Sequence, residues 1–191
     1  MTRVAPAFFD GLYAKDADPW RFTSSDYERG KYARTLEACG PGPFAAAFEA
    51  GCSIGVFTRL LAPRCRRLLA VDCAEAAVRA ARERCADQPA VTVERRLLPE
   101  ELPAGPLDLI VCSEVLYYWD RPLLLGALDV LRRALAPGGA LVAVHWTPPT
   151  ETYPLRGAEV HEILAERLGD LAHARHERHP KYLLDRFEAV A

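Results

Sequence analysis

The spacing of hydrophobic positions changes character along the chain. Over residues 4–15, Phe8, Phe9, Leu12 and Tyr13 recur at the period of a short amphipathic helix. A polar, turn-rich stretch holding Asp18-Pro19-Trp20 follows, and Ser25-Asp26-Tyr27-Glu28 reads as a capping box that opens a second helix over 26–39. Pro41-Gly42-Pro43 ends it, because proline cannot continue a helix and restricts the residue before it. Beyond that break, short apolar runs at 44–50, 67–72, 91–96, 107–115 and 140–146 alternate with segments of helical composition at 54–62, 74–86 and 121–135. Leu109-Ile110-Val111-Cys112 and Leu141-Val142-Ala143-Val144 are apolar at every position, as a parallel strand covered on both faces requires. A further helix is expected at 157–168, and two last strands, 171–179 and 182–190, follow one another across a turn at Pro180-Lys181. The pattern predicts an α/β fold: a doubly wound, mostly parallel, seven-stranded sheet with an antiparallel hairpin at its C-terminal edge. One domain is expected over 1–191, with covering helices in 1–40 and the sheet in 44–191.

Composition narrows the function. With 24 Lys plus Arg against 26 Asp plus Glu, the formal net charge is -2, so there is no basic field for nucleic acid or an anionic membrane. Six cysteines without a C-x-x-C pair read as small reduced core residues. Met1-Thr2-Arg3-Val4-Ala5-Pro6 lacks the apolar core of a leader, and no run reaches the roughly 18 apolar residues of a membrane span. A cytoplasmic location is the expectation.

The chemistry concentrates between the first strand and its helix. In Glu49-Ala50-Gly51-Cys52-Ser53-Ile54-Gly55 the glycines allow a ligand close to backbone amides at a helix N-terminus. The spacing is not the G-x-G-x-x-G of a dinucleotide site, and Glu49 places a negative charge where phosphates would lie. A ligand with an ammonium group, a ribose and no phosphate suits the loop, and S-adenosylmethionine is such a ligand. Asp72, ending the second strand in Leu69-Ala70-Val71-Asp72, is placed to accept hydrogen bonds from both ribose hydroxyls; alone it could equally cap the helix that follows.

At these residues the chain resembles the class I S-adenosylmethionine-dependent methyltransferases, and more narrowly the nodulation-protein-S group of N-methyltransferases. The resemblance covers nearly the whole chain. It rests on Asp18-Pro19-Trp20-Arg21-Phe22, Tyr27-Glu28, Lys31-Tyr32, the glycine loop, Asp72, Ser113-Glu114-Val115-Leu116-Tyr117-Tyr118, Leu135-Ala136-Pro137-Gly138-Gly139 and His145-Trp146. It implies a cofactor over the strand ends, with Gly51 and Gly55 at its methionine tail, Asp72 on its ribose, and Glu49, Cys52, Cys73, Leu97, Ser113 and Glu114 around it. Trp20, a large aromatic in a loop, reads as a lid over the cofactor or as a hydrophobic anchor for that loop. Lys31 either pairs with the cofactor carboxylate or lies on the solvated face of its helix. Leu97 departs from the superfamily pattern, which often has an acidic or amide residue there for the adenine amino group; backbone amides and apolar contact would have to serve instead.

Methyl transfer from a sulfonium is an in-line displacement, so positioning dominates, and an amine acceptor must also lose a proton. Glu114 and His145, at the carboxyl ends of neighbouring strands, are the candidates for that proton, and Tyr118, with Tyr117 and Trp146, could form an aromatic wall that attracts a cation. The expected acceptor is a small molecule, the amine of an amino sugar or a related metabolite. An O-methyltransferase using His145 as base and a non-catalytic binder of S-adenosylmethionine are the alternatives. A nicotinamide-dependent dehydrogenase fits least. His173, His176 and His179 suggest a metal, but in a regular strand side chains alternate and His176 would point away from the other two, so no metal is expected. His161, between acidic neighbours on its helix, reads as exposed.

Overall fold

The computed structural model describes residues 2–190. Its elements run α1 (Pro6–Lys15), α2 (Asp26–Cys39), β1 (Ala47–Ala50), α3 (Val56–Leu61), β2 (Leu68–Asp72), α4 (Glu75–Arg84), β3 (Val91–Arg95), β4 (Leu107–Ser113), α5 (Arg121–Ala134), β5 (Leu135–Trp146), α6 (Gly157–Arg167), β6 (Ala172–Arg178) and β7 (Tyr182–Glu188). The sheet order is β3-β2-β1-β4-β5-β7-β6, parallel through β5, with β7 antiparallel to both β5 and β6. The seven strands and the antiparallel hairpin agree with the sequence pattern.

The uniformly apolar strands supply two cores from one segment, because successive side chains leave opposite faces of the sheet. Ile110, Cys112, Leu141 and Ala143 pack with Leu124, Leu128 and Leu131 of α5 and with α6, whereas Leu109, Val111, Val142 and Val144 pack with Leu61 and with Ala38 and Cys39 of α2. The fifth strand begins at Leu135 rather than 140, since Leu107 pairs with Leu135 before a register shift carries Leu109 to Ala140. Ser25 does cap α2, accepting the Glu28 amide at 3.3 Å, but the box is half formed: the Ser25 amide donates to the Arg21 carbonyl, and Glu28 turns inward. No helix of the described residues is long and apolar enough to cross a membrane.

The chain order steps outward from β1 to β2 and β3, then returns to the other side of β1 with β4. The loops after β1 and β4 therefore diverge and leave a crevice at the carboxyl ends of the strands. Gly55 fixes how closely the β1 loop approaches α4. Its φ is +77°, and an added Cβ would lie 2.9 Å from the Ala81 Cα. Gly55→Ala should therefore cost about 2–4 kcal/mol from left-handed strain plus overpacking, read as a lower midpoint of urea unfolding at unchanged slope.

Candidate active site

A cavity of about 750 Å³ opens over that crevice, roofed by α1, the 16–25 loop and α2. The glycine loop forms its floor. Gly51, at φ +72°, lies against Val115 after β4, with 3.3 Å between an added Cβ and that side chain, so only a glycine keeps the loop open here. Glu49, next to last in β1, is buried, and one of its carboxylate oxygens has no hydrogen-bond partner among the described residues. Burial raises its pKa to about 7. Asp72 accepts the Ser53 amide at 2.9 Å and the Ala74 amide at 3.0 Å, one per oxygen, so it braces the loop and begins the α4 turn while each oxygen keeps a lone pair.

Three charges sit at the other end. Lys31 is buried, not on a solvated helix face as one expectation had it, and its Nζ lies 2.6 Å from Glu114 Oε1 and 2.9 Å from Glu28 Oε2. Burial opposes the Lys31 charge, but Glu114 and Glu28 outweigh it and hold the ammonium above its usual pKa. Glu114, with a left-handed φ of +58°, also accepts the Tyr117 hydroxyl at 2.6 Å and the Trp146 amide at 2.9 Å. Glu28 has only Lys31 among the described residues, and desolvation pushes its pKa up. Two carboxylates on one ammonium leave the cluster one negative charge in excess when all three are ionised. Tyr27, Tyr117, Tyr118, Trp146 and Tyr153 wall it, and the buried Tyr27 hydroxyl has no partner among the described residues.

The cavity thus brings together Trp20, Lys31, Glu49, Gly51, Cys52, Asp72, Cys73, Leu97, Ser113, Glu114 and Tyr118. Gly55 stands behind the loop, buried against α4. Trp20 stacks on Phe22 and meets Tyr13 edge-on, as part of the roof. The Leu97 amide, expected to help hold adenine, donates to Glu101 at 2.5 Å instead, which leaves the Leu97 and Leu98 side chains as the contribution of this strand end.

His145 is not brought into the cavity. It is fully buried, its Nε2 accepts the Leu116 amide at 3.2 Å, and its Nδ1 lies 3.1 Å from His161 Nε2. Burial lowers its pKa far below 6.5 and keeps it neutral, so with Nε2 accepting, the proton sits on Nδ1 and points to His161. His161 in turn meets Asp185 Oδ2 at 2.5 Å. The expectation that His161 is exposed fails because it shares the inward stripe of α6 with Gly157, Val160 and Leu164; that spacing was legible in the sequence. The histidine triplet also departs from strand alternation. An extra residue, Ala174, bulges β6 so that His173 and His176 share a face and both meet Asp185 Oδ1 at 2.7 Å, while His179 stacks on Tyr182. Glu28 was missed as a site residue, because the capping-box pattern accounted for it.

The sheet order, the glycine loop with its acid and the cavity over β1 and β4 define a class I S-adenosylmethionine-dependent methyltransferase fold. The chain belongs to the Nodulation protein S (NodS) family, whose profile matches residues 11–147. It is 41% identical over 132 residues to Nodulation protein S of Rhizobium tropici, which covers 65% of this chain and 53% of that protein, so the chain spans about half the length of that curated relative. Among solved structures, the N-methyltransferase NodS from Bradyrhizobium japonicum in complex with S-adenosyl-L-homocysteine superimposes with a TM-score of 0.84 at 28% identity, covering 96% of this chain and 97% of that one. A putative methyltransferase from Pseudomonas syringae is 40% identical, with a TM-score of 0.74 over 85% of this chain and 98% of that one.

Proposed function

We propose that the protein is an S-adenosylmethionine-dependent N-methyltransferase acting on the amine of a small acceptor, an amino sugar or a related metabolite. The observation that carries the acceptor class is the largely buried Glu28–Lys31–Glu114 cluster, whose excess negative charge within aromatic walls suits a cationic amine. Glu49 fits the cofactor: its unpartnered buried oxygen lacks a donor, and an amino-acid ammonium supplies one. Asp72 retains lone pairs for ribose hydroxyls, and Gly51 keeps the backbone open to the methionine tail. When bound, S-adenosylmethionine supplies a methyl group activated by its sulfonium.

The chain's own task is to orient the acceptor and manage its proton. Glu114 is fully engaged by Lys31, Tyr117 and the Trp146 amide, so it fixes the geometry of the cluster. Glu28 keeps capacity and is the carboxylate we assign to receive the proton that the amine loses. The form of the O-methyl alternative that uses His145 as base is disfavoured, because both nitrogens of His145 already have hydrogen-bond partners.

The test is to incubate the protein with S-adenosylmethionine and paired acceptors that differ only in a free or acetylated amine, with matched alcohols, and to read methylation by mass. Methylation of the free-amine members alone supports the proposal. Methylation of alcohols alone overturns the acceptor class. Tight cofactor binding with no product from the panel overturns catalysis and favours the binder.

The Glu49 environment also predicts a pH dependence. The folded, ligand-free protein holds this proton up to about pH 7, against the usual 4.5, so ionising it to meet an ammonium costs binding energy at lower pH. S-adenosylhomocysteine should bind up to tenfold more weakly per pH unit below about 7, with a proton released to buffer at pH 6. Calorimetry in buffers of different ionisation heat reads both effects, and Glu49→Gln should abolish the proton release. The same raised pKa makes the free protein lose this contribution to stability as pH rises from 4.5 through 7.

A further inference from the structure

We propose that the β6–β7 hairpin carries a divalent metal site, in which His173 Nε2, His176 Nδ1 and Asp185 Oδ1 take a late first-row ion such as Zn²⁺. The three ligand atoms lie within 4.8 Å of one another. Two imidazole nitrogens and one carboxylate oxygen make the mixed set that such ions prefer, and an open three-ligand site leaves a position for water.

The site is shaped by a departure from regular strand geometry. His173 pairs with Phe187 and, without the bulge, Arg175 would face Asp185; the extra Ala174 turns Arg175 to Arg186 and sets His176 opposite Asp185. A bulge that converges two imidazoles on one oxygen is a local feature with a directional result. Both nitrogens stand 2.7 Å from Oδ1, closer than the roughly 3.3 Å between ligands of a tetrahedral ion, so a small outward swing of the two exposed rings admits the metal. A bound ion takes the lone pair of each ligating nitrogen, and the ring proton is carried on the other nitrogen.

The supporting shell is also in place. Asp185 is almost wholly buried and its Oδ2 is held by His161 at 2.5 Å, which fixes the carboxylate plane, as outer-sphere partners do for metal ligands. The ring of His173 stacks on Phe187 with centroids 4.5 Å apart, which limits its rotation. From Asp185 the hydrogen bonds continue through His161 and His145 to the Leu116 amide, beside Tyr117 and Tyr118 of the cavity wall. An ion at Oδ1 thus ties the sheet edge to the segment that shapes the acceptor end.

Titration with Co²⁺ or Zn²⁺ tests the site. The expected result is one ion per chain, visible Co²⁺ d–d bands without a thiolate charge-transfer band, and a rise in Tm of about 5 °C or more at a hundredfold excess of Zn²⁺ over its Kd. Mg²⁺ should give no rise. His173→Asn and His176→Asn should each weaken binding at least tenfold. Binding only at millimolar metal, a thiolate band, or equal binding by His173→Asn/His176→Asn would overturn the proposal. Should the variants fail to fold, Co²⁺-induced shifts of histidine resonances in the unaltered protein decide it. Shifts at His173 and His176 support the site, and shifts confined to other residues overturn it.

Discussion

Lys31→Met should destabilise the protein by about 3–5 kcal/mol, the largest loss expected from a single substitution in the cavity. The side chain it removes is the shared counter-ion of Glu28 and Glu114, and all three groups are largely out of water. Methionine fills a similar volume, so the cost is mostly that of two carboxylates left without a cation. The sign of the pH dependence distinguishes this from a packing defect. Without Lys31, the buried Glu28 loses the cation that offsets its desolvation and holds its proton to still higher pH in the folded state than in the unfolded state. The variant's stability is then retained below the unfolded Glu28 pKa of 4.5 and lost as pH rises through its raised folded pKa. Urea unfolding at pH 5 and pH 8 should show a larger deficit at pH 8. Adding Glu28→Gln and Glu114→Gln to Lys31→Met should recover part of it; equal deficits at the two pH values would point to packing alone.

Glu28→Gln should lower kcat/KM for an amine acceptor by about 10²–10³-fold while leaving S-adenosylhomocysteine affinity within a factor of two or so. The amide keeps the size and one acceptor oxygen of Glu28 but cannot take a proton. Glu28 lies at the end of the cavity proposed for the acceptor, with Lys31 as its only hydrogen-bond donor among the described residues, whereas Glu49 and Asp72 lie toward the far end. In the unaltered protein the rate should rise with pH through the elevated pKa of Glu28, and this limb should vanish in the variant, leaving only the ionisation of the amine itself. Full activity in Glu28→Gln would return the proton-accepting role to Glu114. A matched loss of cofactor affinity would show that the substitution disturbed the fold.

How much was legible before any coordinates follows from what each feature depends on. The strand-and-helix alternation, the breaks at Pro41-Gly42-Pro43 and the turn at Pro180-Lys181 are written in local periodicity, and the structure reproduces them with ends moved by a few residues. The glycine loop and Asp72 were legible because a loop between a strand and a helix needs few long-range facts to be placed. His145 illustrates the opposite case. Its position at a strand end suggested catalysis, but whether its ring enters the cavity or turns beneath it depends on α6, which contributes His161 to the other face of the sheet. Lys31 and Glu28 were ambiguous for the same reason. On a helix wheel they are a common surface pair, and only the return of β4 beside β1 brings Glu114 within 2.6 Å of Lys31.

The sequence by itself therefore determined the class of fold, the loop and acid that suit S-adenosylmethionine, and the end of the sheet where they meet, since each follows from neighbours close in the chain. The tertiary structure decided which polar side chains face one another: Glu28 and Glu114 across Lys31, His161 against Asp185, and His173 with His176 through a single extra residue in β6. Those pairings join residues far apart in the chain or depend on an irregular register, and neither composition nor periodicity carries that information. Burial then sets their energetics, because a charge out of water must find its partner wherever the fold supplies one.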